Sequence, residues 1–173
     1  MTKLFHVSDD PAIATFKPRP SPSAFENVKG DVVFAIAERL LHNYLLPRDC
    51  PRVSFYAGPD SDPRDVDHFL GTAAAPYVLA IEKAWIPRIG EATIYLYELP
   101  VASFELLDEC AGYYMSYEAV TPLGMRAIPD ILDELLQRDI ELRLVTSLWP
   151  LADAVKTSTL RYSCIRMRNA APR

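Results

Sequence analysis

The sequence predicts an α+β fold, and three observations predict it. Short runs rich in β-branched and aromatic residues dominate the middle of the chain. Amphipathic helical stretches interrupt them without the regular alternation that marks a doubly wound sheet. No internal repeat appears along the chain. A length of 173 residues suits one domain, 1–173, with 168–173 as a candidate disordered tail.

The elements follow in order. Lys3 to Val7 reads as an opening strand, ended by the turn formers Ser8-Asp9-Asp10-Pro11. Pro18, Pro20 and Pro22 then fix an extended backbone in the run Phe16 to Ser23. Too few residues precede that run to form a domain, so it is expected as a loop wrapped over the body rather than a linker. Asp31 to Ala37 is apolar and expected as a buried strand. Leu40, Leu41, Tyr44 and Leu45 have helical spacing until Pro47 stops it. In Arg52 to Ala57, Val53 and Phe55 alternate with Ser54 and Tyr56, the period of a strand. Asp60, Asp62, Asp65 and Asp67 lead into a short helix near Phe69, where carboxylates suit the positive end of the dipole.

Ala92 to Leu99 is apolar on both faces and expected as a central strand; Gly112 to Glu118 is a second aromatic strand. Ile128, Ile131, Leu132, Leu135 and Leu136 follow helical spacing, with Pro129 near the start. Ile140, Leu142 and Leu144 alternate with Glu141 and Arg143 in a half-buried strand. Thr146 or Ser147 can cap the next helix, whose inner stripe is Leu148, Leu151, Ala152 and Val155. A last strand spans about Leu160 to Met167.

Composition narrows the function. With 50% hydrophobic and 24% charged residues the chain has an ordinary globular balance, so a packed core is expected. A net charge of −5 argues against general nucleic-acid binding, although Arg161, Arg166, Arg168 and Arg173 share a stretch without acidic residues. Cys50, Cys110 and Cys164 are odd in number and show no CxxC, which fits a reducing compartment. The N-terminus reaches Asp9-Asp10-Pro11 too soon for a signal-peptide core, and no apolar run is long enough to span a bilayer. A cytoplasmic location, with no membrane partner, is the expectation.

The common catalytic signatures are missing. Six glycines form no GxGxxG, P-loop or GxSxG, and His6, His42 and His68 lack metal-ligand spacing, so no metal is expected. Two polar residues in apolar strands stand out. His6 sits between Phe5 and Val7, where the ordinary role is a core histidine satisfied by a backbone carbonyl. Glu118 ends the run Tyr113 to Tyr117, where the ordinary role is a solvated rim residue.

Several stretches resemble an uncharacterised bacterial family of unknown function. They are Leu4 to Ser8 with Phe16 to Arg19, the decapeptide Asn43 to Arg52, Glu118 to Pro122, Ser147 to Leu151 and Ile165 to Asn169. That resemblance covers nearly the whole chain and implies no activity.

More distantly, the order of His6 and Ser8 on a first strand, Tyr44 after a second strand, and Glu118 at a late strand resembles the ADP-ribosyltransferase-like fold. The resemblance implies two small, mostly antiparallel sheets framing a cleft, flanked by helices, with NAD as the ligand. His6 and Ser8 would then bind the ribose, Tyr44 would pack on nicotinamide, and Glu118 would polarise a ribose hydroxyl. Arg19 and Arg48 would meet the pyrophosphate by bidentate hydrogen bonds. Breaking an N-glycosidic bond builds oxocarbenium charge, which a carboxylate stabilises. Ser116 stands two residues before Glu118, where protein-modifying members carry Glu or Gln. Nucleotide binding, NAD cleavage and transfer to a small acceptor are therefore all open. Two other readings are a non-catalytic module for a nucleotide or phosphometabolite, and an interaction protein using Tyr95, Tyr97, Tyr113, Tyr114 and Tyr117.

Overall fold

The structure is a computed structural model that describes residues 2–21, 25 and 28–173. In chain order the strands are β1 (Leu4–Ser8), β2 (Val33–Ala37), β3 (Arg52–Tyr56), β4 (Tyr77–Glu82), β5 (Ile94–Leu99), β6 (Glu105–Asp108), β7 (Tyr113–Ser116), β8 (Gly124–Ile128), β9 (Ile140–Val145) and β10 (Arg161–Ile165). The α-helices are α1 (Pro63–Leu70), α2 (Ile86–Glu91), α3 (Ile131–Leu136) and α4 (Trp149–Lys156). The class is α+β, with two mostly antiparallel sheets. The chain forms two compact units, each discontinuous in sequence. Met1–Leu41 with Thr93–Pro129 makes the first, and His42–Ala92 with Asp130–Arg173 the second.

The first unit holds a six-stranded sheet in the order β6-β7-β2-β1-β5-β8, with every neighbouring pair antiparallel. β5 is interior, as its two-sided apolar run requires: Ile94, Leu96, Tyr97 and Leu99 are all buried. On one face Leu4, Val33, Ala35, Ala37, Tyr97 and Leu99 make a core that Phe16 and Val120 close. Those two residues pair through reciprocal N–H to carbonyl bonds of 2.8 Å.

The proline-rich segment lies across this unit, and its chemistry explains how. Pro18 and Pro20 have no N–H to give, so Arg19 between them makes the contact, exchanging backbone bonds of 3.0 and 2.9 Å with Val32. Pro22 and Ser23 of that run lie outside the described residues. Tyr97 anchors the preceding turn. Its hydroxyl donates to the Asp10 carbonyl at 2.7 Å and accepts from the Ile13 N–H at 3.2 Å, so burying the phenol leaves no orphan. Gly112 turns the chain between β6 and β7 at φ +69°, and a Cβ there would meet Leu40 Cδ1 at 3.1 Å.

The second unit holds a four-stranded sheet, β10-β3-β4-β9, antiparallel except for the parallel pair β4 and β9. A parallel pair needs a long crossover, and the chain supplies one by leaving this unit at Ala92 and returning at Asp130. Val53, Phe55, Val78 and Ala80 pack under Leu148, Ala152 and Val155 of the α4 segment, the stripe expected from its spacing. α1 starts at the N-cap Asp62, which accepts from the Arg64 N–H at 2.8 Å, with Pro63 in the first turn.

Several elements depart from the sequence reading. The helix expected over Leu40 to Leu46 is a six-residue 3-10 turn, Glu38–Asn43. Leu40, Leu41, Leu45 and Leu46 are all buried. Ile128 closes β8 instead of opening a helix, and α3 begins only after the N-cap Asp130, beyond Pro129. Residues 168–173, offered as a tail, are docked. The Trp149 indole donates to the Ala171 carbonyl at 2.7 Å, and Arg173 pairs with Asp153 while lying 4.3 Å over the Trp149 ring. Ring stacking and a charge pair offset the entropy that a polar terminus otherwise keeps.

Candidate functional site

Glu118 lies just past β7, in a bend, and its side chain is exposed. The backbone is set there by Ser116, whose buried hydroxyl accepts from the Glu118 N–H at 3.2 Å. Glu118 lines an open concavity of about 460 Å³ together with Ala102, Ser103, Phe104, Glu105 and Tyr117. Two carboxylates and two aromatic rings thus share one opening, and among the described residues that line it none is Lys or Arg. Such a lining attracts a cation and repels an anion.

The other expected residues of this unit are placed differently. β1 pairs with β5 along its whole length, Leu4↔Leu99 to Ser8↔Tyr95, but with β2 only at Leu4↔Ala37 and Phe5↔Ile36. Beyond that register His6 Nδ1 lies 3.0 Å from the Phe34 carbonyl oxygen. A carbonyl only accepts, so Nδ1 carries the proton in this contact. The imidazole packs on Phe16 with centroids 4.7 Å apart. His6 is half-buried and is not among the residues that line the concavity at Glu118. Ser8 is buried on β1, where its hydroxyl accepts from the Asp10 N–H at 3.1 Å and shapes the turn. The Arg19 side chain is exposed. Of the tyrosines offered as an interaction surface, Tyr97 is buried, Tyr95, Tyr113 and Tyr114 are half-buried, and only Tyr117 is exposed.

Tyr44 and Arg48 belong to the second unit, inside the decapeptide Asn43 to Arg52. Here Arg52 is the organising residue. It is 3% exposed, and its Nε donates to the Asn43 carbonyl at 2.9 Å and its Nη1 to the Cys50 carbonyl at 2.6 Å. The guanidinium lies 5.6 Å from the Tyr44 ring centroid, so Tyr44 already holds a cation from its own unit. Arg48 is exposed. Cys50 is fully buried, which pushes its thiol up to about 12. Glu82, also buried, accepts from the Leu148 N–H at 3.1 Å at the start of α4 and from the Ala171 N–H. A fork matched to several carbonyls makes the decapeptide specific for reasons of folding.

His42 gives this unit a pH response. The ring is 3% exposed against Tyr77, and burial, with the positive field of Arg138, lowers its pKa from 6.5 to about 4. The folded state therefore refuses a proton that the unfolded chain accepts. Its contribution is full above pH 6.5 and is lost as pH falls toward 4, by about 3 kcal/mol across that window. Asp62, Asp65 and Glu141 are also lowered, but from ordinary values below 5, so their losses come at lower pH. Urea unfolding at pH 7 and pH 4.5 should show this drop in the wild type and a flat response in His42→Gln. Equal stabilities for the wild type at the two pH values would overturn the assignment.

Among the described residues no group of three or more His, Cys, Asp or Glu is arranged to hold a metal ion. No helix among them is long and apolar enough to cross a membrane.

The family model described as "Family of unknown function (DUF6886)" matches residues 5–170. The chain belongs to this family. The DUF6886 match spans both units and takes in His6, Ser8, Arg19, Tyr44, Arg48 and Glu118. No curated protein and no solved structure matches the chain.

Proposed function

We propose that the concavity at Glu118 binds a flat cationic ring joined to a sugar, with the nicotinamide end of NAD as the test case, and that Glu118 stabilises charge developing on that sugar. This reading takes the fold as ADP-ribosyltransferase-like and the activity as NAD cleavage or transfer to a small acceptor. The observation that supports it is the lining: Glu105 and Glu118 beside Phe104 and Tyr117. Oxidised nicotinamide is a pyridinium, which suits carboxylates and aromatic faces together. Ser103 supplies a hydroxyl for a sugar oxygen. The diphosphate meets no Lys or Arg among these lining residues and must extend beyond them; the exposed guanidinium group of Arg19, in the same unit, is the proposed partner. His6 and Ser8 enter only as supports of the sheet beneath.

The ring charge gives a direct test. NADH has the same diphosphate and sugars but a neutral dihydronicotinamide. Calorimetry should show NAD bound roughly two- to fivefold more tightly than NADH, the worth of one exposed cation–π contact. The preference should shrink with added salt. Equal affinity for the two, or no binding of either, removes the proposal.

A further inference from the structure

Four strands form sheet edges: β6 and β8 in one sheet, β10 and β9 in the other. An unprotected edge is a template for another strand, and charges and bulges are the usual protection. β6 has both, with Glu105, Asp108 and a register shift between Leu106 and Asp108. β9 carries the Glu141–Arg143 ion pair at 2.8 Å, and β10 opens on Arg161, which pairs with Asp60. β8 differs. It keeps regular register with β5 from Ile94↔Ile128 to Glu98↔Gly124, and Arg126 is its one charged residue. Its first four residues are exposed, with Met125 at 45%, and Leu123 just before it is 68% exposed.

We propose that β8 pairs antiparallel with β8 of a second copy of this chain, about a two-fold axis through Met125. A two-fold perpendicular to the sheet keeps each face on its own side, so the axis passes through a residue and not between two. Centred on Arg126, the pairing would set two guanidinium groups directly opposite, which destabilises. Centred on Met125, it sets Met125 against itself, Ala127 against Leu123 and Arg126 against Gly124. The first two pairs bury exposed apolar side chains. The third gives Arg126 room, because a Cβ built on Gly124 meets nothing within 4 Å. In this register the sequence complements itself with no like charges opposed. The contact is isologous and closes at two copies.

Light scattering over a wide concentration range should show a dimer at twice the 19.4 kDa of one chain. Met125→Lys, a typical edge-blocking change, should be monomeric with an unchanged circular dichroism spectrum. The register has its own test in a Cys110→Ser background, which removes the exposed native thiol. Opposed residues across an antiparallel pair have Cα atoms roughly 4.5–5.5 Å apart, within disulfide reach. Met125→Cys should therefore crosslink to a dimer on mild oxidation, whereas Arg126→Cys, offset along the strand, should not. A wild type that stays monomeric at every concentration overturns the proposal and leaves the edge to a strand of other sequence. So does a dimer that survives Met125→Lys, or a crosslink at 126 in place of 125.

Discussion

Arg52→Ala should destabilise the chain by roughly 3–5 kcal/mol, because it removes a buried charged donor and strands the carbonyls it serves. The Asn43 and Cys50 carbonyls accept from Arg52 at 2.9 and 2.6 Å in a region water does not reach. The Tyr44 ring would also lose the cation it holds. Arg52→Lys should rescue little, since a single ammonium cannot copy a planar fork aimed at separate carbonyls. Urea unfolding measures the loss. Thiol labelling localises it: a disulfide reagent should modify exposed Cys110 in the native wild type and leave Cys50 untouched, buried and held far from its thiolate form. In Arg52→Ala the loosened turn should expose Cys50 to the reagent at rates well above wild type. A loss under 1 kcal/mol, with Cys50 still protected, would show that the decapeptide does not depend on its arginine.

That decapeptide shows what sequence reading reaches and where it stops. Its polar residues around two prolines are conspicuous in one dimension, and they invite an anion site. Which arginine turns inward depends on β3, since Arg52 opens that strand opposite Ile81 of β4 while Arg48 stays on the turn outside. Strands with clear alternation or two-sided apolar runs, β3 and β5 among them, are legible because side-chain period alone marks them. β4 is not. Val78, Leu79, Ala80 and Ile81 are all fully buried, and a continuous apolar run of that length fits a strand or a helix turn equally. β6 and β8 are edge strands with exposed, mixed residues, so no pattern announces them. The capping of α4 is half legible. The N-cap is Leu148 in place of Thr146 or Ser147; Ser147, just before it, accepts from the Trp149 N–H at 3.4 Å, and the carboxylate that takes the Leu148 N–H comes from Glu82, 66 positions away.

The candidate site divides in the same way. Glu118 is visible as a carboxylate ending an aromatic run, and it lines an open concavity. Glu105 and Phe104, which share that opening, come from a segment with no strand signature of its own. No sequence separation rule brings them together. Only the pairing of β6 with β7, Glu105↔Met115 and Leu106↔Tyr114, does so. His6 is legible as a polar side chain set in an apolar strand. A histidine inside an apolar strand needs an acceptor, and Phe34 supplies one where the β1–β2 register ends.

Glu118→Gln is the change that separates an enzyme from a binder at this opening. The amide matches the carboxylate in shape and still hydrogen-bonds a sugar hydroxyl, yet it carries no charge to set against an oxocarbenium ion. Losing one well-placed electrostatic stabiliser costs roughly 3–4 kcal/mol of barrier, a hundred- to a thousandfold in rate. Ground-state affinity should change far less, because Glu105, Phe104 and Tyr117 remain in the lining. The expected outcome is nicotinamide release by the wild type, lost in Glu118→Gln, with NAD affinity within a few-fold of wild type by calorimetry. Glu105→Gln is the matched control, since it removes the same charge from the same lining. A smaller loss there assigns the chemistry to Glu118, and an equal loss assigns it to the field of both. Equal turnover by wild type and Glu118→Gln removes Glu118 from the mechanism. If the wild type binds NAD but releases no nicotinamide, with small acceptors supplied, the opening is a binding site without chemistry.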